Sequence, residues 1–92
     1  MYAGQVRDAS IASLSGSSQQ VLPLNGNRRF LQIENIGSAN VGVNISGGTA
    51  AIGGVGTITL VPTGSATYDE YVPQNAVNVI GTAGQSILVL EG

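Results

Sequence analysis

The sequence predicts an all-β fold: a compact, jelly-roll-like β-sandwich of about seven to eight short antiparallel strands. Three observations predict it. Val, Ile and Thr make up 24 of the 92 residues, and β-branched side chains suit a pleated sheet. Turn signals built from Gly, Asn and Pro recur at a spacing of roughly 8–12 residues, the rhythm of sandwiches and barrels. No stretch carries a sustained helical period.

The elements follow in order. Residues 1–17 (MYAGQVRDASIASLSGS) show little pattern and read as an extended N-terminal arm, with a short strand expected at 10–15. The remainder, 18–92, reads as the sandwich domain. Residues 18–24 form a strand that Pro23 confines to an edge or a strand end, because proline donates nothing to a ladder. Asn25-Gly26 then predicts a hairpin turn. Residues 29–36 (RFLQIENI) and 41–46 (VGVNIS) alternate with period two around a turn at 37–40. Residues 47–56 (GGTAAIGGVG) are expected to be a flexible loop. Strands are expected at 57–61, 65–72, 77–80 and 87–90, separated by turns at Pro62-Thr63-Gly64, Pro73-Gln74-Asn75 and 82–85.

Composition narrows the chemistry. The chain has no His, Cys or Trp, and it contains no Lys. Zinc sites of the usual kinds, thiolate nucleophiles, imidazole bases, Schiff bases and P-loop lysines all need residues it lacks. Only eight residues are charged, 9% of the chain, and the net charge is −2 with three arginines. Such a surface does not neutralise many phosphates, so no nucleic-acid partner is expected. No apolar run approaches the ~20 residues of a membrane span, and no membrane partner is expected. The N-terminus lacks the apolar stretch of a signal peptide, so synthesis in a cytoplasm is expected. The sequence points to a non-enzyme without cofactor or metal.

Its core is thin. Four aromatics and no disulfide leave a small domain short of stabilisation, which such domains commonly recover by oligomerising. The last strand, ILVL at 87–90, is apolar on both faces, so a second partner is expected against Leu88 and Leu90.

The remaining candidates for chemistry are weak. Asp69 and Glu70 are adjacent acids, but neighbours on a strand point to opposite faces; they read as guards of an edge strand. Arg28 and Arg29 could grip an acidic partner, or pair with Glu34, Asp69 or Glu70 within an oligomer. Gly53-Gly54-Val55-Gly56 lacks the following helix and the lysine of a phosphate loop. Tyr68 and Tyr71 could stack on a sugar ring, although tyrosines on a sheet more often pack or form interfaces.

Two stretches carry a resemblance. Leu22-Pro-Leu-Asn-Gly-Asn-Arg-Arg-Phe-Leu-Gln-Ile-Glu-Asn35 fits the pattern NxxRxxLxIxN, and Val72-Pro-Gln-Asn-Ala-Val-Asn-Val-Ile-Gly-Thr-Ala-Gly-Gln85 with Val89-Leu-Glu-Gly92 fits VP…AVxVIGTAG…VLEG. Together they resemble small virion proteins of tailed bacteriophages, over residues 18–92. The resemblance implies a head decoration, or cement, protein of the capsid surface: a small sandwich, assembled as a homo-oligomer with a trimer favoured, bound to the major capsid protein. A collar, fibre-base or tail component and a carbohydrate-binding attachment module are the alternatives. On this reading the contacts with other copies or with the capsid are expected at Tyr2, Val6 and Arg7 of the arm, Arg28 and Arg29, Tyr68 and Tyr71, and Leu88 and Leu90. Deleting residues 1–17 is expected to leave a folded domain that attaches less well.

Overall fold

The computed structural model describes residues 5–92 and contains eight strands and no helix. They are β1 (Arg7–Asp8), β2 (Gln19–Leu22), β3 (Leu31–Asn35), β4 (Val41–Asn44), β5 (Ile58–Leu60), β6 (Ser65–Tyr68), β7 (Val77–Ile80) and β8 (Ile87–Glu91). Two four-stranded antiparallel sheets form, in the orders β1-β8-β3-β6 and β2-β7-β4-β5. The pairings nest: β1 with β8, β2 with β7, β3 with β6, β4 with β5. A long antiparallel ribbon folded over on itself in this way is the jelly roll, so the sequence-predicted architecture is the one observed.

Alternation produces the two layers. In β3 and β8 every second residue is buried, starting from the first. Their inward rows pair Ile33 with Val89 and Asn35 with Ile87. Across the sandwich stand Val41, Val43, Val77, Val79, Leu22 and Leu60, and with Leu31 and Leu14 these form one core cluster. Among the described residues no aromatic side chain is fully buried; Tyr68 only packs against the cluster from its margin. β-Branched and Leu side chains in alternating rows are what the period-two pattern requires.

Four features depart from the sequence reading. From residue 5 onward, the segment read as an arm packs with the sandwich. Arg7–Asp8 pairs with Glu91 and Leu90, Ile11 bridges to Ile87, and Leu14 is 2% exposed in the core. The expected strand at 10–15 is therefore a single bridge, and pairing lies earlier, at residues whose alternation is too short to detect. Asn25-Gly26 does turn the chain, but β2 and β3 lie in different sheets, so the turn crosses the sandwich and is no hairpin. β6 stops at Tyr68, so Asp69 and Glu70 sit in the following bend.

The fourth departure is the glycine-rich loop between β4 and β5, which is pinned onto the outer face of its sheet. Asn44 is 4% exposed and its Oδ1 accepts bonds from Ser46 N–H, Ser46 Oγ and Gly48 N–H. Asn78 Nδ2 donates to Gly48 O at 2.6 Å, and Ala50 N–H donates to Ser18 Oγ at 2.9 Å. Gly42 makes room for this cover: a Cβ there would lie 2.9 Å from Thr57 Cγ2 and 3.1 Å from Ile80 Cγ2.

Because Leu14 fills the core, removing residues 1–17 strips a buried leucine and uncovers the β8 edge, so the truncated domain is expected to lose stability and not to stay intact. Leu14→Ala alone is expected to cost about 2–5 kcal/mol of unfolding free energy. Urea titration followed by circular dichroism checks this, and a loss under 1 kcal/mol (about the size of an ordinary surface change) contradicts the packing.

Candidate functional site

At the end of the sandwich where β6 and β8 finish, the turns at 23–30 and 69–76 converge with the first residue after β4. Between them is an open cleft of about 560 Å³, lined by Arg29, Tyr68, Asp69, Glu70, Tyr71 and Val72 among others. Arg28 reaches the same cleft, but its side chain is withdrawn from solvent, at 1% exposure.

A charged side chain taken out of water must find partners, and Arg28 finds four. Its Nε donates to Glu91 Oε2 at 2.8 Å, Nη1 to Pro73 O at 2.6 Å and Asn75 O at 3.0 Å, and Nη2 to Pro23 O at 2.9 Å. Glu91 is 7% exposed. It also accepts from Asn25 Nδ2 at 3.2 Å, and its other oxygen lies 3.1 Å from Arg7 Nη2. The fork of one guanidinium thus ties the β2–β3 turn, the β6–β7 turn and the end of β8 together. Burial pushes the Glu91 carboxyl up, but the hydrogen bonds from Arg28 and Asn25 and the positive charges of Arg28 and Arg7 outweigh it, leaving the group below its ordinary value. Asp8 also lies below its ordinary value, chiefly through its hydrogen bonds with Ser10.

The expected contact residues fall into three groups. Tyr2 lies outside the described residues. Arg28 is interior, and within the chain its acidic partner is Glu91, in place of the expected Glu34, Asp69 or Glu70. The rest reach the surface to different degrees. Val6, Arg7, Arg29 and Tyr71 are exposed, Tyr71 almost wholly, at 93%. Tyr68, Leu88 and Leu90 are half-buried. Leu88 and Leu90 stand opposite Glu34 and Gln32 on the outer face of their sheet, a mixed rather than an apolar surface. The structure therefore brings Arg29, Tyr68 and Tyr71 to one cleft with Asp69 and Glu70.

Sequence reasoning missed Glu91 and Asn25. Nothing local marks them, since the Arg28–Glu91 bond spans 63 positions. It also missed Asn35, which is fully buried. Its Nδ2 donates to Ala39 O and Leu60 O, and its Oδ1 accepts from Gly37 N–H and Gln85 Nε2. A second, smaller open cleft of about 380 Å³ lies at that opposite end, between the turns at 37–39 and 82–86. Among the described residues, no three His, Cys, Asp or Glu side chains gather as a metal site would require.

No family model and no curated protein matches this sequence. Solved structures share its fold. The stem and receptor-binding domain of the spike protein P1 from bacteriophage PM2 superposes with a TM-score of 0.60 at 14% identity, over 92% of this chain and 32% of that one. The chain thus spans about a third of the length of that spike structure. A Bacillus endospore appendage protein, of a family of disulfide-linked pili, superposes with a TM-score of 0.54 at 16% identity, over 99% of this chain and 88% of that one.

The charged node makes a testable claim about pH. Because the folded Glu91 carboxyl lies below its ordinary value of 4.5, its contribution to stability is present above that value and is lost as pH falls through the folded value. Glu91→Gln is expected to lose about 3 kcal/mol at neutral pH and to lose less than the wild type on further acidification. Urea midpoints at neutral and acid pH check both; parallel acid losses in the two proteins contradict the assignment.

Proposed function

We propose that the chain is a non-enzymatic structural protein of a bacteriophage virion, bound to the outer head as a homo-oligomer, with a trimer favoured, and stabilising the shell of the major capsid protein. The observation that carries the structural role is the jelly-roll fold shared with a phage spike and with a spore appendage. The sequence resemblance to head decoration proteins supports the capsid position. Positions of that resemblance, Asn25, Arg28, Leu31, Ile33 and Asn35, serve the interior: they bridge turns or fill the core. Such a motif maintains a shape and needs no reactive group. A protein that binds only the mature shell stabilises it by its binding free energy, and an oligomer touching several shell subunits adds avidity without a strong single contact.

A second reading, an attachment module, is favoured by the fold shared with part of a structure that holds the stem and receptor-binding domain of the PM2 spike and by the cleft beside Tyr71. Tyrosine rings next to carboxylates can stack on a sugar ring and bond its hydroxyls. Quantitative mass spectrometry of purified particles separates the two. Copies comparable in number to the major shell protein are expected for decoration; a handful of copies points instead to a spike, collar or tail position. If Tyr71→Ala abolishes binding on a panel of host glycans, attachment replaces decoration.

A further inference from the structure

We infer that the β5 edge, together with the loop that precedes it, is the surface through which copies of this chain associate. The inference takes from the proposed function only that copies assemble.

Charge is distributed unevenly over the two sheets. Arg7, Asp8, Glu34 and Glu91 are on the strands of the β1-β8-β3-β6 sheet, and Arg28, Arg29, Asp69 and Glu70 are in turns at one end. The β2-β7-β4-β5 sheet carries no charge on any strand, and residues 35–68 contain none at all.

The four sheet edges can then be compared. A free edge offers unpaired N–H and C=O groups to any passing strand, and proteins blunt such edges with charge, bulges or proline. β1 is made of Arg7 and Asp8. β6 runs directly into Asp69 and Glu70. β2 breaks register between Gln20 and Leu22 and meets Pro23. β5 is short, at three residues, but carries no charge, bulge or proline within it. It pairs with β4 on one side, and among the described residues no strand pairs on the other. Pro62 lies beyond its end.

The flanks of β5 are apolar instead of guarded. Ile52 is 50% exposed, Val55 fully exposed, Ile58 38% and Val61 56%. These four account for half of the large exposed apolar side chains of the described residues. A charged partner would have to strip water from its ions against a surface that returns no counter-charge. A second copy of the same surface brings no charge to desolvate and completes the ladder with backbone groups that every strand edge supplies. The occupant the chemistry fits is therefore this chain itself.

The test uses the full chain. Sedimentation equilibrium and light scattering over a wide concentration range are expected to show self-association. Thr59 is exposed on β5, so Thr59→Lys places a charge on the edge without touching the core. It is expected to reduce the association constant about tenfold or more, as like charges brought opposite each other oppose strand pairing. Val55→Asp, on the exposed loop, is expected to act in the same direction. Thr67→Lys on the β6 edge is the control and is expected to leave association unchanged. Hydrogen exchange adds a second readout: the amides of residues 58–61 should gain protection as concentration rises. A wild type monomeric throughout, or an oligomer indifferent to Thr59→Lys and Val55→Asp, overturns the inference. The latter result leaves the virion reading intact, which copy number tests separately.

Discussion

An arginine held out of water is the constraint on which the rest of this structure depends. Removing a guanidinium from solvent is costly, and removing one partner of a buried ion pair typically costs more than the pair itself contributes. Arg28 is therefore stable only where Glu91 and the carbonyls of Pro23, Pro73 and Asn75 stand in its plane. That demand fixes two turns and the end of β8 relative to one another. The C-terminal residue follows, since Gly92 exchanges backbone bonds with Phe30 and accepts one from Arg29. Arg7, the third charge at the node, then anchors the first strand through Glu91.

Neutral nodes do the same work elsewhere. Asn35 binds across to Leu60 of the other sheet and holds Gln85 and the 37–39 turn. The backbone of Asn35 also accepts from Thr63 N–H, and Thr63 sits at φ 68°, a left-handed conformation that costs a β-branched residue about 1–2 kcal/mol. Asn44 holds the loop that covers Gly42. A core of aliphatic side chains is stabilised by burial, but area alone fixes no register between the layers. Satisfied amides and one ion pair between its small apolar rows supply specificity, because each is costly if the layers slip. No buried side-chain nitrogen or oxygen among the described residues lacks a partner.

This division explains what was legible in the sequence. Strands β2 to β8 were readable because alternation is a local signal with period two, and the turns were readable because Gly, Asn and Pro act locally. β1 is two residues long and both are charged, so no alternation marks it; its place follows only from β8. Asn25-Gly26 is legible as a turn but not as a crossing between sheets, which depends on where β7 and β8 lie. Arg28 looked like a surface grip because an arginine after a turn normally is one, and its partner Glu91 stands 63 positions away in the chain. For the same reason Tyr68 and Tyr71 were legible as candidates but the cleft beside them was not: its walls come from turns that only tertiary folding brings together.

The segregation of charge is the property that composition alone hides. A net charge of −2 spread evenly would give a weakly charged surface everywhere. Concentrated on one sheet and one end, it leaves the opposite sheet neutral and hydrogen-bonding. Surface charges act over roughly a Debye length, about 8 Å at physiological salt, so copies approaching through the charged sheet would feel one another's ions before contact. Copies approaching through the neutral sheet would not. The same asymmetry places the cleft, with its exposed Arg29 and Tyr71, at the charged end of the sandwich. If copies assemble as proposed, they would meet through the face where no ion has to be desolvated, and the charged sheet would stay in water.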